Sequence, residues 1–234
     1  MLTGLAEEQA GLFTAAQARM IGVRRSQLLD LVGRHTIERV RHGVYLISGA
    51  PVDQWTRIRA AWLALSPERS AADRLAGDDP DAVVTGRSAA HLLDLGDVEA
   101  DRIEFTATDR RRASDPDVVI RRGRLARSDW TVRAGLPVTT PGKTVAMLAA
   151  DGLDLGHLAG VTRDAMLRYD VPAAILAAAL DGSARRYSYR TGEELADHLL
   201  RLAGAPRSAV DLAAAVLPQV RPLPLPGPAK ADRG

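Results

Sequence analysis

The 234-residue chain contains no cysteine. That removes disulfides, thiolate zinc sites and cysteine nucleophiles together. Lysine is almost missing as well: Lys143 and Lys230 are the only two, so the cations are nearly all arginine. Nine aromatic residues (two Phe, three Trp, four Tyr) are spread thinly, without the stacking platform on which single-strand binders lay out bases. No stretch approaches the ~20 uninterrupted apolar residues of a membrane span, and no membrane association is expected. The opening residues 1–8 have neither the basic start nor the apolar run of a secretory signal, so a cytoplasmic location is expected. His91, His157 and His198 each lack a second histidine three or four residues away. They suggest no metal site, and no cofactor is expected.

What is present points to one end of the chain. Hydrophobic residues make up 46% of the sequence, enough at this length for one large or two modest domains. The net charge is only +2, but it is unevenly placed. Between Arg19 and Arg59, eight arginines (Arg19, Arg24, Arg25, Arg34, Arg39, Arg41, Arg57 and Arg59) face only Asp30, Glu38 and Asp53. The local excess of +5 leaves −3 for the remainder. A positive field confined to one segment is the electrostatic footprint of a nucleic-acid reader.

Periodicity in that segment predicts a winged helix-turn-helix. Thr3 is placed to cap a helix over residues 4–10, which Gly11 ends. Phe13, Ala16 or Gln17, and Met20 recur at helical spacing, and Gly22 supplies a turn. A third helix, about 24–33, would bury Leu28, Leu31 and Val32 while its polar side chains lie largely elsewhere. Residues 36–40 and 44–47 alternate in the strand manner around Arg41-His42-Gly43, which reads as a β-wing.

Beyond a boundary at Gly49-Ala50-Pro51, Trp55, Ile58, Ala61, Trp62 and Leu65 form the apolar stripe of a helix. Residues 66–81, with Pro67, Gly77 and Pro80, read as an exposed loop. Strands follow near 82–85, 102–106, 118–122 and 136–138, with a helix over 88–95 capped by Ser88. Thr140-Pro141 is a cap with proline at the first helical position, and further helices follow near 155–169, 172–180 and 193–202. The fold class is therefore α+β. A winged helix-turn-helix over 1–50 precedes a mixed α+β domain over 51–204 and a proline-rich tail over 205–234 that is expected to be largely disordered.

The candidate site follows from docking geometry. The start of the third helix enters the major groove, and Arg24, Arg25, Ser26 and Gln27 occupy it. An arginine fork matches guanine, and a glutamine amide matches adenine. Arg34 adds charge at the other end of that helix. Arg39, Arg41 and His42, in or beside the wing, would grip backbone or minor groove, and Tyr45 divides between packing and a phosphate hydrogen bond. Asp30 would repel phosphates unless it pairs with an arginine, the expected arrangement, or accepts from a cytosine amino group. Double-stranded DNA is the expected partner. A winged helix used only as a protein-interaction scaffold is the alternative, which the local charge disfavours.

Enzymatic signals are weak. Gly142-Lys143-Thr144 is not a phosphate-binding loop, because Pro137 stands where the required glycine belongs. Gly86-Arg87-Ser88 with His91 lacks the strand-to-nucleophile arrangement of a hydrolase. No catalytic role is expected.

The runs 11–18, Gly22-Val23 and 37–45 resemble the N-terminal domain of the AbiEi family of antitoxins and transcriptional regulators, most clearly at the wing. Residues 84–93 and 135–145 resemble later segments of the same family, so the likeness spans roughly residues 4–170. The resemblance implies a repressor that binds repeated sites in its own promoter. It also implies an antitoxin whose second domain antagonises a nucleotidyltransferase toxin encoded alongside. A solitary regulator without a toxin is the alternative. Related architectures join the same winged helix to a Vsr-like endonuclease, but the C-terminal third here has no carboxylate cluster beside a lysine, so a nuclease is not expected.

Overall fold

The computed structural model describes residues 2–109 and 115–205. The expectation of a disordered tail falls almost entirely on residues 206–234, outside the described residues. In order, the first elements are α1 (Leu2–Glu7), β1 (Leu12–Thr14), α2 (Ala15–Met20), α3 (Arg25–Gly33), β2 (Ile37–Arg41) and β3 (Val44–Ile47). Strands β2 and β3 make the wing, with Gly43 at φ +72° in the turn, a conformation glycine adopts without a Cβ penalty. The three-stranded sheet has the order β1-β3-β2, fully antiparallel.

Two local readings change here. Thr3 lies inside α1 rather than capping it. Phe13 belongs to a strand, not to the second helix: Leu12 pairs with Leu46 and Phe13 with Tyr45, and the Phe13 ring stacks on Tyr45 at 5.7 Å. The helix begins one step later, where Thr14 forms a capping box with Gln17. A three-residue strand has too little period to announce itself, and its partner lies some thirty residues on.

The rest comprises α4 (Thr56–Leu65), α5 (Ala71–Leu75), β4 (Ala82–Val84), α6 (Gly86–Leu92), β5 (Ile103–Ala107), β6 (Val118–Arg122), β7 (Trp130–Arg133), β8 (Leu136–Thr139), α7 (Pro141–Asp151), α8 (Leu155–Tyr169), α9 (Ala173–Asp181) and α10 (Gly192–Leu202). The second sheet runs β6-β5-β4-β8-β7, with β4/β8 and β5/β6 parallel and β4/β5 and β7/β8 antiparallel. Helix α6 packs on β5 and α7, α7 on α8 and α9, and α10 on α8 and α9. Thr140 caps α7 with Pro141 in its first turn, as its sequence requires. Ser88 is not a cap: it is buried inside α6, its Oγ donating to Arg102 O at 3.0 Å and accepting from Glu104 N at 2.9 Å.

The segment 66–81 is not an open loop. It contains α5, whose Arg74 side chain is fully buried over the Trp62 ring at 3.6 Å and held by Asp81 at 2.8 Å. A buried guanidinium is tolerated only with such pairing. The same segment straps the helix-turn-helix. The Thr14 hydroxyl donates to Pro67 O, Gln17 Nε2 donates to Arg69 O at 2.8 Å, and Ala71 N donates to Gln9 Oε1 at 2.9 Å. Leu12, Val44 and Leu46 from the winged helix share one apolar core with Ile58, Ala61 and Trp62 of α4. A smaller cluster of Ala6, Phe13, Ala18, Leu28 and Ile37 sits beneath α3. Burying the back of the wing on α4 fixes the winged helix to the body of the protein.

Candidate nucleic-acid interface

Helix α3 presents the site because its apolar residues lie on one side. Leu28 is buried and Leu31 and Val32 are half-buried, while Arg25, Ser26, Leu29 and Asp30 are exposed. Arg24 takes extended backbone at the N-cap, and its N–H donates to Gln27 Oε1 at 2.8 Å. Gln27 therefore folds back on the helix start, using its carbonyl oxygen there.

Between the start of α3, the end of α2 and the wing lies an open groove of about 860 Å³. Arg19, Arg24, Arg25, Arg39 and His42 line it, with Tyr45 and Leu29 in its wall and no carboxylate among the lining residues. Arg39 Nη2 donates to His42 Nδ1 at 2.7 Å, which holds the two wing side chains together. Among the described residues, Arg24, Arg25 and Arg39 have no acidic partner, whereas Arg19 meets Glu68 at 3.0 Å in an exposed pair. Exposed pairs of that kind contribute little, so Arg19 can exchange Glu68 for a phosphate.

Of the residues expected from sequence, the groove gathers Arg24, Arg25, Arg39, His42 and Tyr45. Ser26 and Gln27 lie outside its lining, and Arg34, at the C-cap of α3, stands about 13 Å further along the axis at 1.5 Å per residue. Arg41 is the clear departure. Its side chain is 8% exposed and turned away from the groove, donating to Asp115 at 2.9 Å and Asp117 at 2.7 Å. Arg57 of α4 joins the same Asp117 oxygen at 2.8 Å. Burial works to raise the Asp117 carboxyl, but the hydrogen bonds from Arg41 and Arg57 outweigh it and hold the pKa down at about 2. Arg41 is thus a clasp between wing and body, and sequence could not reveal it because its acids lie more than 70 residues away.

The expected ion pair for Asp30 is also missing: among the described residues no cation lies within ion-pair distance of its carboxylate. Arg19 and Leu29 join the site without having been singled out. Arg19 was legible in the charge cluster, whereas an exposed leucine carries no signal until its neighbours are placed.

Two further structural facts bear on other chemistry. Among the described residues no helix is long and apolar enough to cross a membrane, and no group of three or more His, Cys, Asp and Glu could hold a metal ion.

With this geometry in place, residues 2–48, from α1 through the wing, match the family model described as transcriptional regulator, AbiEi antitoxin. That segment carries the family's pattern. The match supports a transcriptional regulator or antitoxin and ends where α4 has yet to begin. No curated protein matches the chain.

Proposed function

We propose that this chain is a double-stranded DNA-binding repressor that acts through the groove between α3 and the wing. It autoregulates its promoter as the antitoxin partner of a nucleotidyltransferase toxin. The observation that carries the DNA reading is the convergence of Arg24, Arg25, Arg39 and His42 on one open groove whose lining has no carboxylate. Arg24 and Arg25 lie where a helix N-terminus favours phosphate oxygens and where a guanidinium fork reaches guanine. Arg39 and His42 stand across the groove to hold the strand that borders it. The antitoxin half rests on the family match alone.

A mobility-shift titration on the DNA upstream of the gene, over a range of salt, tests the first part. With about four phosphates neutralised, log affinity should fall against log salt with a slope of about −3.5. Absence of any shift at low salt defeats it. For the second part, co-expression with a neighbouring nucleotidyltransferase gene should relieve toxicity. Unrelieved toxicity, or no such neighbour, leaves a solitary regulator.

A further inference from the structure

We propose that Leu29 is a base-reading residue that contacts a thymine 5-methyl group in the major groove. The inference rests on the duplex-binding reading above and adds a determinant of sequence preference to it. Leu29 is 60% exposed on α3, one turn beyond Arg25, and both line the groove. A single exposed leucine means nothing by itself. This one stands among guanidinium groups on the helix that enters the groove, where the only apolar feature of a base-pair edge is the thymine methyl.

Its neighbour strengthens the assignment. Asp30 is exposed and has no cation partner among the described residues, so this part of the helix would be repelled by a phosphate row. Base edges carry no such charge, and cytosine even offers an amino donor to a carboxylate. A surface that pairs an unneutralised acid with a bare leucine between arginines suits the floor of the major groove rather than its walls. Arg24, Arg39 and His42, lining the same groove, would meet the walls.

The full chain is used to enrich duplexes from a randomised pool. Each enriched thymine is then replaced singly by deoxyuridine, which deletes only the methyl. At one such position the replacement should weaken binding about fourfold, the worth of one buried methyl group. Leu29→Ala should bind thymine and deoxyuridine duplexes equally there, and Leu29→Met should keep most of the difference. Because the side chain is exposed, both variants should retain the wild-type melting temperature. Indifference of the wild type to every replacement, or a fourfold loss that persists in Leu29→Ala, overturns the assignment. A pool that is retained without enrichment also overturns it while leaving duplex binding intact. A pool not retained at all at low salt defeats duplex binding itself, and the Leu29 assignment with it.

Discussion

Replacing Arg41 by alanine separates the two roles that this residue could play. If it gripped phosphate, Arg41→Ala would weaken DNA binding and leave stability alone. Its burial against Asp115 and Asp117 requires the reverse order of effects. Removing one member of a buried ion pair typically costs about 3–5 kcal/mol. Here Asp117 keeps Arg57, and the two carboxylates are 24% and 36% exposed, so solvent screens part of the loss. The depression of the Asp117 pKa from 3.8 to about 2 is the net of these hydrogen bonds against the opposing effect of burial, so it agrees in sign with a stabilising clasp. Adding the lost packing of the stem, the variant should be destabilised by about 2 kcal/mol, or roughly 4–8 °C in melting temperature for a domain of this size. Urea unfolding of Arg41→Ala, Asp117→Ala and the double variant should yield a coupling of about 1 kcal/mol.

The same pair predicts a pH dependence. A carboxyl whose pKa is lower in the folded state stabilises the fold above its unfolded value and loses that contribution as pH falls. The clasp should therefore act fully above pH 3.8 and fade towards pH 2, and the difference between wild type and Arg41→Ala should narrow across that window. Wild-type stability in Arg41→Ala, with uniformly weakened DNA binding, would refute the clasp. So would strictly additive effects in the cycle.

Other consequences follow from the same architecture. Arg25→Ala should cost about 1–3 kcal/mol in DNA affinity and relax specificity at one base pair, with an unchanged melting temperature because Arg25 is exposed; an early melt would show a structural role instead. A fragment of residues 1–50 should lack a cooperative thermal transition, since Leu12, Val44 and Leu46 lose the α4 core that covers them, and a sharp calorimetric peak would contradict this. Gly192→Ala should cost about 3 kcal/mol, because its Cβ would stand 2.0 Å from Ala177 O and 2.6 Å from Asp181 N, whereas Gly182, with nothing within 4 Å, should tolerate alanine; equal urea midpoints for the two variants would be inconsistent with that packing.

Much of the first fifty residues was readable without coordinates because its signals are local. Further along, Thr140 with Pro141 is legible for the same reason, a cap that acts within one turn, whereas the helical spacing from Phe13 to Met20 hides the Thr14–Gln17 cap. The wing announces itself through Gly43 and the alternation on either side of it. The elements that were missed depend on distant partners. Strand β1 exists because Leu12 meets Leu46, and β7 because Trp130 pairs with Thr139 and Val132 with Pro137. Segment 66–81 has a loop's composition, yet Arg74 finds Asp81 and Trp62, and Gln9 and Gln17 find its backbone.

The local charge, the third helix and the hairpin are legible along the chain, and with them the segment that lines the groove. Those properties depend on residue type and on spacing of a few residues. Which arginines remain available to a ligand depends instead on how distant segments are packed. Arg24, Arg25 and Arg39 stay open because no carboxylate is folded against them among the described residues, while Arg41, one more cation in the same run, is taken by acids that become its neighbours only when β6 is laid beside β5. Charge is a property of the chain, but the pairing of charges is set by which distant segments the core brings together.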